Sequence, residues 1–113
     1  MFKMGGQPME TALDKLNAKL CSEQLHTKFK VQTENTPALE LELCEVNEPP
    51  TLARLELFTL IFRGPAAPCL LQRIHLLEHP KLGTLPIFLT AVEADSDGIA
   101  YEAVFNRVRD RKK

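Results

Sequence analysis

From residue 28 onward the apolar residues recur at every second position, in short runs separated by turn-forming residues. A period of two is the signature of a strand with one buried face, so this pattern limits the fold more than any other feature. "LELELCEV" is the clearest run, with Leu39, Leu41 and Leu43 on one face and Glu40 and Glu42 on the other. "KFKVQT" precedes it, and "LELFTLIF", "QRIHLLEH", "TLPIFLTAV" and "IAYEAVFN" follow. "NEPPT", "GPAAP", "PKLG" and "EADSDG" break the chain between them. Six strands without intervening helices imply an all-β, antiparallel fold, a small six-stranded barrel or sandwich. Pro86 cannot donate to a ladder, so it should lie at an edge or a bulge.

One helix is expected, over Glu10–Leu20, where Leu13, Leu16 and Leu20 fall at helical spacing. Thr11 and Asp14 have the spacing of a capping box, with Asp in place of Glu. So short a helix does not persist alone and must cover one end or face of the sheet. The strand from Leu57 to Phe62 is apolar on both sides, so the expected target is its Leu57/Ile61 face, with a second subunit as the other cover. The reading is therefore one domain: a leader over 1–9, a β domain with its helix over 10–106, and a charged tail over 107–113. Met1, Met4 and Met9 are all candidate starts.

Length and composition narrow the function classes. A chain of 113 residues with 44% apolar and 26% charged residues is an ordinary globular domain, able to bury one core. Its formal net charge of −1 gives no general reason to expect nucleic acid or a membrane surface as partner. No run of about 18 apolar residues is present, and a cytoplasmic location is the default expectation. Cys21, Cys44 and Cys69 form no Cys-x-x-Cys pair, so neither a structural zinc nor a dithiol motif is signalled. No cofactor motif is present: there is no Gly-rich phosphate loop and no nucleophile elbow.

"FTLIFRGP", "HPKLGTLPIFL" and "YEAVFN", in that order, resemble a small bacterial β-domain family of unknown function. The matching positions include Phe58, Arg63, Gly64, Pro65, His79, Pro80, Gly83, Tyr101, Glu102 and Asn106. The resemblance covers roughly Leu13 to Asn106, and Pro86 departs from the pattern. In some bacteria such domains are encoded near phage-tail-type genes, so the resemblance implies a structural role in assembly.

Five residues are candidates for a binding site: Arg63, Glu78, His79, Tyr101 and Glu102. Arg63 ends the third strand ahead of Gly64 and Pro65. Its planar fork suits a carboxylate or carbonyl anchor, with Glu78 or Glu102 as expected partner, or an anionic ligand. Losing it should then cost about 1–3 kcal/mol. His75 and His79 share a strand face but stand about 13 Å apart at ~3.3 Å per residue, too far to chelate one ion jointly. "DSDG" (Asp95–Gly98) reads as a turn rather than a calcium loop, which needs more ligands and a distal Glu. "RVRDRKK" carries basic charge without interleaved aromatics, so it reads as a solvated end.

The expected function is that of a non-catalytic structural or adaptor domain, not an enzyme, acting through a protein partner or self-association. The alternative is a carrier of a small ligand or anion, with its site near Arg63 and His79. The interior separates the two readings: with Phe58, Leu60, Phe62, Phe88 and Phe105 all inward, the barrel is filled and leaves no ligand cavity.

Overall fold

The computed structural model describes residues 12–33, 39–50 and 55–108. Six strands run in chain order: β1 (Lys28–Val31), β2 (Leu39–Asn47), β3 (Leu55–Gly64), β4 (Arg73–His79), β5 (Gly83–Asp95) and β6 (Gly98–Val108). All pair antiparallel, and the sheet closes as a barrel in the order β1-β2-β3-β6-β5-β4. Closure between β1 and β4 rests on Lys30 opposite Glu78 and Val31 opposite Leu77. Register shifts at Leu43/Glu45 and Ala91/Glu93 add the local twist that so small a ring requires.

Alternation decides what points inward. Phe29, Val31, Leu41, Leu43, Phe58, Leu60 and Phe62 fill the interior from one half of the ring, and Leu77, Leu85, Ile87, Leu89 and Tyr101 from the other. Fully burying one such side chain is worth about 1.5–3 kcal/mol. Phe29 and Phe62 meet edge-on with ring centroids 5.2 Å apart, and Phe58 stacks on Phe105 at 4.7 Å. Phe88 departs from the expectation. It lies between the buried Ile87 and Leu89, so strand parity turns it outward, 49% exposed. Phe29 and Tyr101 supply the bulk it does not.

The N-terminal stretch also departs from a single helix. It breaks into α1 (Ala12–Lys15) and α2 (Ala18–Ser22). Asn17 between them is extended, and its side-chain oxygen accepts from the Leu20 amide at 2.8 Å. Asn competes for backbone partners inside a helix and is favoured as an N-cap, which explains the break. Thr11 of the expected capping box lies outside the described residues, as do the leader and residues 109–113. The helices pack on β5 and β2, not over Leu57 and Ile61. Leu16, Ala18 and Cys21 are buried in the core cluster, so this segment plugs the end of the ring from which β1 departs. Burial pushes the Cys21 thiol up to about 12, which makes it an inert packing group.

Pro86 sits where β5 is paired on one side. β5 pairs with β4 over Gly83–Leu89 and with β6 only over Thr90–Asp95, so the missing donor falls in a one-sided stretch, as expected. β6 continues to Val108, which takes Arg107 out of the expected tail and into the fold. Its guanidinium donates to Leu13 O at 3.1 Å and to Leu16 O, pairs with Glu56 at 3.1 Å, and lies 5.8 Å from the centroids of Phe58 and Phe105. Arg107 thereby ties the plug to the end of the β3–β6 ladder.

Candidate functional site

Arg63 and His79 occupy separate environments. Arg63, at the end of β3, meets Asp95 of the β5–β6 hairpin at 3.3 Å. This corrects the expected partners, Glu78 and Glu102. The hairpin is brought over Arg63 because Gly98 packs directly on the Gly64 carbonyl, where a Cβ would collide with backbone. Asp95 is fixed in turn by accepting from the Asp97 and Gly98 amides at 2.9 and 3.0 Å. Those amides, together with Arg63, hold its carboxyl below the usual carboxylate range. "DSDG" is thus a hairpin turn closed by its own aspartate, as expected.

The Arg63 pair is half exposed on both sides, with side-chain exposures of 35% and 51%. A pair so open to water contributes little. Arg63→Ala is expected to cost under about 1 kcal/mol, below the 1–3 kcal/mol that a buried anchor would give. A denaturation midpoint close to wild type at pH 7 checks this.

His79 is buried at the end of β4, only 5% exposed, with its ring centroid 4.5 Å from that of Phe29. Its Nδ1 accepts from the backbone amides of Lys81 at 3.0 Å and Leu82 at 3.3 Å. With Nδ1 an acceptor, Nε2 carries the proton and donates to Thr27 Oγ1 at 2.9 Å. The Thr27 hydroxyl then donates to Gln24 O at 2.7 Å. This is the backbone-bonded turn histidine that Pro80 suggests. Burial, and then the charge of Lys81, hold its pKa below 6.5.

Glu78 shares the surroundings of His79 without touching it. It accepts from Gln32 Nε2 and, with Lys28, Lys30, Glu40, Lys81 and Thr84, lines an open cleft of about 680 Å³ beside the β1–β4 seam. Lys30 lies opposite both Glu40 and Glu78, so much of that charge is internally matched. Tyr101 is a core residue whose hydroxyl accepts from the Leu70 amide at 2.9 Å, pinning the β3–β4 crossover on the ring. Glu102 faces outward on β6, opposite Ile61 and Thr90. The five candidates therefore form an ion pair, a histidine relay with a nearby carboxylate, a buried phenol and a surface carboxylate. They do not converge on one point. His75, which shares the inward face with His79, is bonded through Nε2 to Leu71 O at 2.7 Å. Among the described residues, no group of three or more His, Cys, Asp or Glu side chains is arranged to hold a metal ion.

Two features escaped the sequence. His26 has a left-handed backbone (φ 68°), with its amide bonded to Leu43 O and its Nδ1 3.2 Å from Glu42. It turns the chain from α2 into β1. The other is an apolar patch on the outer face of β4, β5 and β6. Ile74 stands opposite Phe88, and Leu76 opposite Pro86. Ile74, Leu76, Phe88 and Val104 are 61%, 41%, 49% and 59% exposed. The signal for it is present in "QRIHLLEH" and "TLPIFLTAV", which are apolar at both parities. A second open cleft, of about 610 Å³ and lined by Pro68, Leu71, Ile74 and His75 among others, borders this patch.

Among the described residues no helix is long and apolar enough to cross a membrane. A family described as a domain of unknown function, DUF6916, matches residues 16–105. No curated protein and no solved structure matches the chain significantly.

Proposed function

The chain belongs to the DUF6916 family, a domain of unknown function, and from that premise we propose that it is a non-catalytic domain that binds another protein. The observation that carries this reading is the outer face of β4–β6. With Pro86, the exposed parts of Ile74, Leu76, Phe88 and Val104 amount to apolar surface on the order of 400 Å², the size of the largest patch on a typical monomer. Polar residues ring it: Lys30, Glu78 and Thr84 on one side, Thr90 and Glu102 on the other. An apolar centre with a polar rim is the anatomy of a protein interface. It would form the core of a standard site of about 800 Å² per partner. The partner is a folded protein with an apolar centre of its own, in keeping with a structural role in phage-tail-type assembly. A carrier is less well supported, because the ring interior is filled by side chains and the two clefts described are open to solvent.

The test uses a variant with Ile74→Lys and Phe88→Glu, opposite charges because the two positions face each other across the β4–β5 ladder. Both side chains are exposed, so its melting temperature should stay near that of wild type. Affinity capture from the source cell should retain a discrete protein, in near one-to-one amount, on wild type and not on the variant. Equal capture by both would overturn the reading. If light scattering instead shows that purified wild type doubles its mass and the variant does not, the same face binds a second copy.

A further inference from the structure

We infer that His79 is a pH-sensitive latch: it holds the β4–β5 turn and the helical plug in place only while its ring is neutral. The inference rests on what each ring nitrogen touches. Nδ1 faces two donors, the Lys81 and Leu82 amides, at 3.0 and 3.3 Å. Both belong to the turn between β4 and β5. A proton on Nδ1 would place a third N–H against those two, with no acceptor among them. The ring cannot escape by flipping, because Nε2–H already donates to Thr27 Oγ1, and that hydroxyl already donates to Gln24 O. A flipped imidazolium turns Cδ2–H toward the turn amides and Cε1–H toward Thr27, so the amides still find no acceptor and the Thr27 bond is lost as well. Protonation therefore has to expel the turn or the ring.

The latch reaches beyond the turn. Lys81 and Leu82 line a small cleft with Ala12, Leu16 and Leu20 of the plug, and a Cβ on Gly83 would meet Ala12 at 3.4 Å. Thr27 and Gln24 join α2 to β1, and Thr27 O accepts from Leu43 N at 3.1 Å. One imidazole thus connects the β4–β5 turn, the exit of the plug and the start of β1. The charged neighbours do not favour a cation. Lys28 and Lys30 of β1 and Lys81 of the turn line the same cleft as Glu40 of β2 and Glu78 of β4, three cations to two carboxylates, and Glu78 is engaged by Gln32. Phe29 covers the ring face.

The direction follows by linkage. The folded pKa lies below the ordinary 6.5, so the unfolded chain takes up the proton first as pH falls. Stability is full above about pH 6.5 and declines as pH falls from there toward the folded pKa.

Two measurements on the full chain test this. The first is an NMR titration of the three imidazoles combined with amide hydrogen exchange at pH 7.5 and at a pH below the His79 midpoint so measured. His79 should titrate below 6.5 as the neutral Nε2–H tautomer. Protection factors of the Lys81 and Leu82 amides should fall at least about tenfold at the lower pH, with α1 and α2 following. The second is His79→Asn, which keeps an oxygen near Nδ1 but cannot titrate. Its stability should lose the His79 contribution to the pH dependence below about pH 6.5. If His79 titrates at or above 6.5, or if the two amides stay equally protected below its measured midpoint, the latch does not exist. If the variant fails to fold, the wild-type titration and exchange decide alone.

Discussion

Replacing Arg107 with alanine should lower stability by about 1–3 kcal/mol, the scale for taking donors away from poorly solvated hydrogen-bond acceptors. The side chain holds two carbonyls of the plug, the Leu13 and Leu16 oxygens, and it faces Glu56, whose side chain is only 15% exposed. Truncation takes one donor from each of these acceptors in a place water reaches poorly, although Leu13 O keeps the Leu16 amide at 3.1 Å. It also removes a cation from beside the Phe58 and Phe105 rings. Arg107→Lys should recover only part of the loss, because one ammonium cannot reproduce a planar fork that spans two carbonyls and a carboxylate. Chemical denaturation of the three proteins checks the order. A loss below about 1 kcal/mol for Arg107→Ala would mean that the plug is held by Leu16 and Cys21 alone.

Phe62→Ala and Phe88→Ala should differ by at least about 2 kcal/mol, although both remove the same atoms. Phe62 is fully buried against Phe29, so truncation leaves a cavity and should cost about 3–5 kcal/mol. Phe88 is 49% exposed on the outer face, and its loss should stay within about 1 kcal/mol. At 4–8 °C per kcal/mol for a domain of this size, the first change lowers the melting temperature by more than about 10 °C. Equal losses would show that the inward set has been misassigned.

These two phenylalanines also show how far the sequence could be read. Alternation in "LELELCEV" fixes which leucines face the core, because one face is acidic and can only meet water. In "TLPIFLTAV" both parities are apolar, so period alone cannot say whether Ile87 or Phe88 points in; closure of the ring decides it. The helix-forming stretch was legible as a helix, but not as two, because the competition that Asn17 sets up depends on the plug needing to bend over the barrel end. Arg63 drew attention through Gly64 and Pro65, yet its partner came from a hairpin thirty-two positions away. Arg107 looked like part of a solvated basic tail. Its role was invisible because nothing local marks a strand that continues beneath the N-terminal segment. His79 was legible as a candidate on a strand face it shares with His75. Its reach to Thr27 was not, since β1 and β4 meet only when the ring closes.

The way the ring closes also bears on how the chain reaches its fold. Hairpins β4–β5 and β5–β6 join neighbours in sequence and can form early, on the microsecond scale of isolated hairpins. Pairing β3 with β6 joins Leu55 to Val108, and the last joint, Lys30 and Val31 against Glu78 and Leu77, closes a long loop across four strands. Such contacts must bear the loop entropy before they return any stability, which places folding in the slower millisecond-to-second range of all-β topologies. The joint made last has the shortest ladder, two opposed pairs where β3 and β6 share ten. The barrel should therefore breathe there first, so its slowest step in assembly and its easiest step in native-state opening share one seam.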